Sequence, residues 1–230
     1  MKRSLMLISA LLCACSMQVK HPDPAGVDMA MGGPRVPGGC EAPAAANQGK
    51  MGCYLDVAVE IGPLPGQVYW HINEFPNEAS ARGAATRASA VVSAYGRTFL
   101  ETVNADAAWR PRGGTRLAVV GPMPVPEGVP LTARFMQGMT EAGATTRPHR
   151  HSGPEGFLLL DGAICVETPA GAHRTNRWET LWLPGEMPMH LTSAAGGVRR
   201  SVLVVIHPSS QPWMTVMPEW TPTGACTLGG

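Results

Sequence analysis

The chain lacks the signatures of several common enzyme classes. It has no G-x-S-x-G, no H-E-x-x-H and no glycine loop of the kind that cradles phosphates. Serine hydrolysis, zinc proteolysis and nucleotide chemistry therefore have no anchor in it. It lacks C-x-x-C spacing, which removes a zinc knuckle and a thiol redox pair. Charge of one sign is missing too: 18 Lys and Arg stand against 17 Asp and Glu, a formal net charge of +1. Nothing in that balance calls for a nucleic-acid partner. No apolar run is long enough to cross a bilayer as a helix. There is no internal repeat, and helical periodicity never persists beyond about a dozen residues.

What the chain does have is turn formers and a core. Of 230 residues, 27 are Gly and 22 are Pro, while 44% are hydrophobic, enough for one sizeable domain with extensions. The start, Met1-Lys2-Arg3 followed by the apolar run Leu5 to Leu12, has the layout of an export signal. Leu12-Cys13-Ala14-Cys15 resembles a bacterial lipobox, with Cys15 as the lipidated residue and Cys13 as a departure from the usual pattern. That resemblance implies cleavage after residue 14 and a periplasm-facing outer-membrane lipoprotein, with a secreted or periplasmic protein as the alternative. From 15 to 53 the chain is rich in Pro, Gly and Ala with no apolar period, and reads as a flexible tether. Residues 54–220 form the folded domain and 221–230 a tail, and the irregular tail-like stretch from Gln211 onward, with Trp213, Trp220 and Cys226, is expected to pack across the domain's outside.

Short apolar runs separated by Gly and Pro fill that domain. Strands are expected near 57–61, 68–72, 90–92, 97–103, 116–120, 131–139, 163–168, 178–183, 190–192 and 199–207, with one or two helical turns in 78–88. This is an antiparallel all-β pattern. The β blocks 54–120 and 131–207 leave open a degenerate duplication whose first half has no H-x-H. Four cysteines remain after the leader, and four permit three pairings. Cys40 with Cys53 would close a short loop at the domain's entry, and Cys165 with Cys226 would pin the tail.

The chemistry is concentrated in residues 143–162. His149 and His151 are two apart, so in a strand they share a face. Ser152-Gly153-Pro154 can turn the chain and return the carboxylate of Glu155 to that face. Imidazoles and a carboxylate together suit a divalent Fe, Mn, Ni, Zn or Cu ion. Gly143, His149, His151, Glu155 and Gly162 fill every fixed place of G(X)5HXH(X)3-4E(X)6G, and the chain thereby resembles the cupin superfamily, in its small single-barrel form. The resemblance implies a jelly-roll barrel with a flexible N-terminal extension and one divalent metal held inside.

A mononuclear cupin takes a further histidine from a second motif, which Pro184-Gly185-Glu186-Met187-Pro188-Met189-His190 matches poorly. His190 is the expected fourth ligand and His207 its rival, while His71 reads as lining the barrel or sitting in the core and His173 as a turn residue. Met187 and Met189 beside His190 raise copper, although methionine more often fills gaps in a core. Arg134, Arg147 and Arg150 are candidates for holding a carboxylate-bearing ligand, Arg150 least so by alternation. Glu155 is the candidate proton acceptor. The resemblance leaves three activities open: Fe- or Mn-dependent oxygen chemistry on a small oxygen-rich molecule, a non-catalytic envelope module, or a metal-assisted isomerase or lyase. The implied partner is a small molecule, with a membrane reached only through a lipid anchor, and either a monomer or a homodimer.

Overall fold

Alternating and continuous apolar runs, cut by Gly and Pro, produce fourteen strands and one short helix among the described residues of a computed structural model. The structure describes residue 36, residues 39–194 and residues 196–226. The expected leader, the Cys15 lipobox and most of the expected tether lie outside these residues. The strands are β1 (Gly52–Gly62), β2 (Gln67–Phe75), β3 (Ser89–Ala94), β4 (Arg97–Asn104), β5 (Thr115–Pro124), β6 (Leu131–Thr140) and β7 (His149–His151). They continue as β8 (Glu155–Asp161), β9 (Ile164–Thr168), β10 (Gly171–Thr175), β11 (Thr180–Leu183), β12 (His190–Ser193), β13 (Arg199–Pro208) and β14 (Met214–Val216). Helix α1 spans Glu78–Ala84, and Asn77 caps it by accepting a hydrogen bond from the Ser80 amide. Among the described residues, no helix is long and apolar enough to cross a membrane.

The architecture is all-β and layered. A central antiparallel sheet runs β1-β6-β13-β8-β11. On one face it meets β10-β9-β12, which is joined to β7-β14 by a bridge in which His149 and Met189 exchange backbone hydrogen bonds of 3.0 and 2.8 Å. These two walls enclose the jelly-roll barrel, packed with Met136, Phe157, Leu159, Val166, Leu191 and Val205. On its other face the central sheet meets a four-stranded sheet, β3-β4-β2-β5, across a larger core holding Trp70, Phe99, Phe135, Leu158 and Val204.

The central strands therefore have two buried faces. Phe157 and Leu159 enter the barrel while Leu158 and Leu160 enter the second core, so the run Phe157 to Leu160 is continuously apolar rather than alternating. Leu203 and Val205 against Val202, Val204 and Ile206 repeat the pattern on β13. The first β block is thus split: β1 joins the barrel wall, and β2 to β5 build the outer sheet.

Both disulfides join the expected partners, Cys40 to Cys53 and Cys165 to Cys226. Residues 39–53, read from composition as the end of a tether, hold a 3-10 turn at Ala44–Ala46, and Cys40 packs against the barrel core. Outside the motif, two strands have no counterpart in the sequence reading. β10 is short and mostly exposed, so no apolar pattern marks it. β14 comes from the tail, expected to cross the outside of the barrel, and instead pairs with β7 at the histidines.

Candidate metal centre

Three of the sequence-singled residues converge. β7 places His149 and His151 on one face with Arg150 between them, giving buried, half-buried, buried. The Ser152-Gly153-Pro154 turn starts β8 at Glu155. A ligand atom from each of His149, His151 and Glu155 lies within 4.8 Å of the others, and all three residues are buried. His151 Nε2 and Glu155 Oε2 are 3.4 Å apart.

The turn is held by backbone contact. A Cβ on Gly153 would sit 1.9 Å from the Ile206 carbonyl oxygen, and one on Gly185 would sit 2.7 Å from the Gly153 Cα. Two glycines let the Ser-Gly-Pro turn lie on β13 and the Pro-Gly turn lie on the Ser-Gly-Pro turn this closely. The motif glycines serve differently: Gly143 and Gly162 have φ of 82° and 65°, a left-handed backbone that glycine adopts without strain.

Hydrogen bonds fix the rings. His149 Nδ1 lies 2.7 Å from the Arg147 carbonyl oxygen, and His151 Nδ1 lies 2.9 Å from that of Trp213. A carbonyl oxygen only accepts, so each Nδ1 carries the proton and each Nε2 keeps its lone pair. This is the arrangement that orients metal-binding imidazoles. Burial first, with a smaller coulombic contribution from His151, lowers the His149 pKa to about 4, so its ring is neutral at pH 7. His151 Nε2 and Glu155 Oε2 are buried without a hydrogen-bond partner. Orphaned acceptors this close together are costly unless a cation fills the space between them. The residues fit a divalent ion.

His190 is not one of the three residues whose ligand atoms converge, although it acts electrostatically on His149. Its flanking residues Met189 and Leu191 are buried in the barrel core, so alternation turns His190 to the outer face of that wall, opposite Glu167 on β9. Met189, fully buried there, is a core residue. His207 instead shares the inner-facing parity of Leu203 and Val205; it is buried, its Nδ1 lies 2.9 Å from the Pro208 carbonyl oxygen, and its Nε2 has no partner. His71 is buried in the outer sheet with its ring edge-to-face to Trp109, and His173 is exposed on β10.

Of the arginines, Arg150 pairs with Glu186 at 3.1 Å on the surface, as alternation requires. Arg134 pairs with Glu41 at 2.8 Å and lies over the Trp213 ring, which stacks on His151 with centroids 5.2 Å apart. Arg147 lines the cavity at the metal group. Two lining residues escaped the sequence reading. Trp213 lies in an irregular tail, and Arg199 belongs to an Arg-Arg pair resembling a solvated strand end. Parity with Leu203 and Val205 is the signal that would have turned Arg199 inward.

No protein-family model matches the sequence, and no curated protein does. Several solved structures are similar over part of the chain. A cupin superfamily protein from Desulfitobacterium hafniense is 10% identical, with 36% of this chain and 71% of that one covered and a TM-score of 0.29. The polyketide cyclase RemF from Streptomyces resistomycificus is 16% identical over 40% of this chain and 64% of its own, TM-score 0.33. The DMSP lyase DddQ from Ruegeria pomeroyi is 13% identical over 39% of this chain and 45% of its own, TM-score 0.34. At these scores the matches carry nothing about reaction or substrate. The chain is an all-β protein with a buried His-His-Glu group, and the solved structures similar to it include cupin superfamily proteins.

Proposed function

We propose that this is an exported metalloprotein that binds one small, oxygen-rich molecule inside its barrel and activates it towards oxygen. The observation that carries the reading is the pair of orphaned buried atoms, His151 Nε2 and Glu155 Oε2, beside His149. Two imidazoles and one carboxylate are the donor set of non-haem iron oxygenases, and manganese suits it as well. His149, His151 and Glu155 would hold the ion, which supplies Lewis acidity and open positions for substrate.

The chain's own residues do the rest. The carbonyl oxygens of Arg147 and Trp213 hold both imidazoles in the ligand tautomer. Phe157, Leu191 and Leu203 line the cavity and keep it dry, which strengthens every charge interaction within. Glu155 Oε2, one of the atoms that would hold the ion, would act as proton acceptor on swinging off it, since its carboxylate lies beside a bound substrate.

Export is supported by the two disulfides, which persist in oxidising compartments. Anchoring through a diacylated Cys15, with the barrel facing the periplasm, completes the proposal. Mass spectrometry of envelope protein tests it, and an unmodified mature N-terminus would refute the anchor.

The activity is tested by elemental analysis of purified protein, then oxygen uptake with Fe(II) or Mn(II) and a panel of small oxo acids, dicarboxylic acids and diketones. Stoichiometric metal and consumption of one compound are expected. Tight binding of a panel member without turnover would make the protein a binding module instead.

A further inference from the structure

Arg199 is only 7% exposed and stands on the inner face of β13, lining the same cavity as His149, His151 and Glu155. Its Nε donates to Thr140 Oγ1 at 3.0 Å, and that oxygen shares a 2.6 Å hydrogen bond with Ser193 Oγ. The guanidinium is thus fixed across β6, β12 and β13. Opposite it, a Cβ on Gly138 would come within 3.1 Å of Arg199 Nη2, so a glycine leaves the room this group occupies.

What Arg199 lacks is a counter-charge. Its neighbour Arg200 takes Asp161 at 2.8 Å, and Arg97 takes Glu74 at 2.6 Å. Among the described residues, no carboxylate oxygen lies within 4 Å of the Arg199 guanidinium, the limit within which those pairs fall. A buried cation in that state is expensive. Two groups act on it electrostatically: Tyr95, whose phenol burial keeps protonated at pH 7, and the carboxylate of Glu155, which shares its cavity. On the reading proposed above, a metal ion takes Glu155's charge, and the cavity then carries net positive charge at both Arg199 and the metal.

We infer that Arg199 is the specificity-determining residue of the barrel, and that the ligand is a small carboxylate bound between Arg199 and the His-His-Glu group. With Nε committed to Thr140, the two Nη groups remain for a carboxylate, which accepts two parallel hydrogen bonds from a guanidinium. The cavity's volume, about 60 Å³, limits the ligand to the smallest acids, an oxo- or dicarboxylic acid of two or three carbons. The inference rests on the metal-centre reading for the far end of the ligand but not for the Arg199 end.

Titration calorimetry with oxalate, malonate and pyruvate, each against its neutral amide, tests it on the metal-free and the Co(II)-loaded protein. Each form is expected to prefer at least one acid to its amide by about tenfold or more. Arg199→Gln should abolish that preference while the Co(II) stoichiometry and its visible spectrum stay unchanged, and Arg199→Lys should restore part of it. Acids and amides binding alike, no acid binding at millimolar concentration, or an unchanged preference in Arg199→Gln would each overturn it. Should Arg199→Gln fail to fold, the acid-over-amide comparison in the unaltered protein and in Arg199→Lys still decides. Discrimination without Co(II) binding would sink the metal reading and leave Arg199 standing.

Discussion

At the scale of single residues, the metal centre depends on lone pairs held apart from protons. His149 has a pKa of about 4 in the fold, below the 6.5 of a free imidazole, so the unfolded chain binds more protons between those values. Stability contributed by its neutral form is accordingly present above pH 6.5 and lost as pH falls towards 4. Metal retention should fall with it, because the proton competes for the same lone pair; dialysis at stepped pH followed by elemental analysis reads this. The double variant His149→Ala/His151→Ala is expected to lose the metal, and Glu155→Gln to weaken it. His190→Ala should keep one equivalent, since His190 faces away from the group. Loss of metal in that variant would reinstate it as a ligand.

The elements that carry these residues are held by contacts that local sequence does not encode. Gly153 lies against the backbone of β13, so Gly153→Ala should cost about 3 kcal/mol or more and displace Glu155. A lowered denaturation midpoint together with weaker metal binding would show it. At the other wall, the tail is tied to β9 twice. Cys226 bonds to Cys165, and Glu167 accepts hydrogen bonds from the amides of Gly224 and Cys226 and the hydroxyl of Thr223. Burial alone would raise the Glu167 pKa, but those donors outweigh it and hold the carboxyl below its usual range. Replacing Cys165 and Cys226 by Ser should lower stability by about 2–4 kcal/mol in chemical denaturation. The Cys40–Cys53 loop should be unaffected.

For the whole molecule, the layering places one acid in a core and a half-buried one beside it. Asp56 accepts a 2.7 Å hydrogen bond from Gln137 and interacts with Glu101, which is buried and receives the Trp70 indole N–H at 3.1 Å. Burial raises the Asp56 pKa from 3.8 to about 7. The folded state then binds more protons than the unfolded one between those values, so stability declines as pH rises through that window and does not recover above it. Urea melts at pH 5 and pH 8.5 should differ in this direction, and Asp56→Asn should flatten the difference. An unchanged pH dependence in that variant would remove Asp56 as the cause.

Local pattern alone determined that this chain is antiparallel β, with strands where apolar runs meet turn formers, and it placed His149, His151 and Glu155 in one motif. Period-two alternation and the Ser-Gly-Pro turn act over a few residues, so they are legible without a fold. Sequence left three cysteine pairings open, and the fold chose Cys40–Cys53 and Cys165–Cys226. Partnership across the barrel was decided by tertiary structure. His190 was read from its distance to a Pro-Gly turn, but its direction follows from which wall β12 joins. Arg199 reads as a surface charge until β13 is buried on both faces, and Trp213 as part of a loose tail until β14 pairs with β7. Each of these depends on contacts between residues far apart in sequence, and no local period records which distant strand will lie alongside.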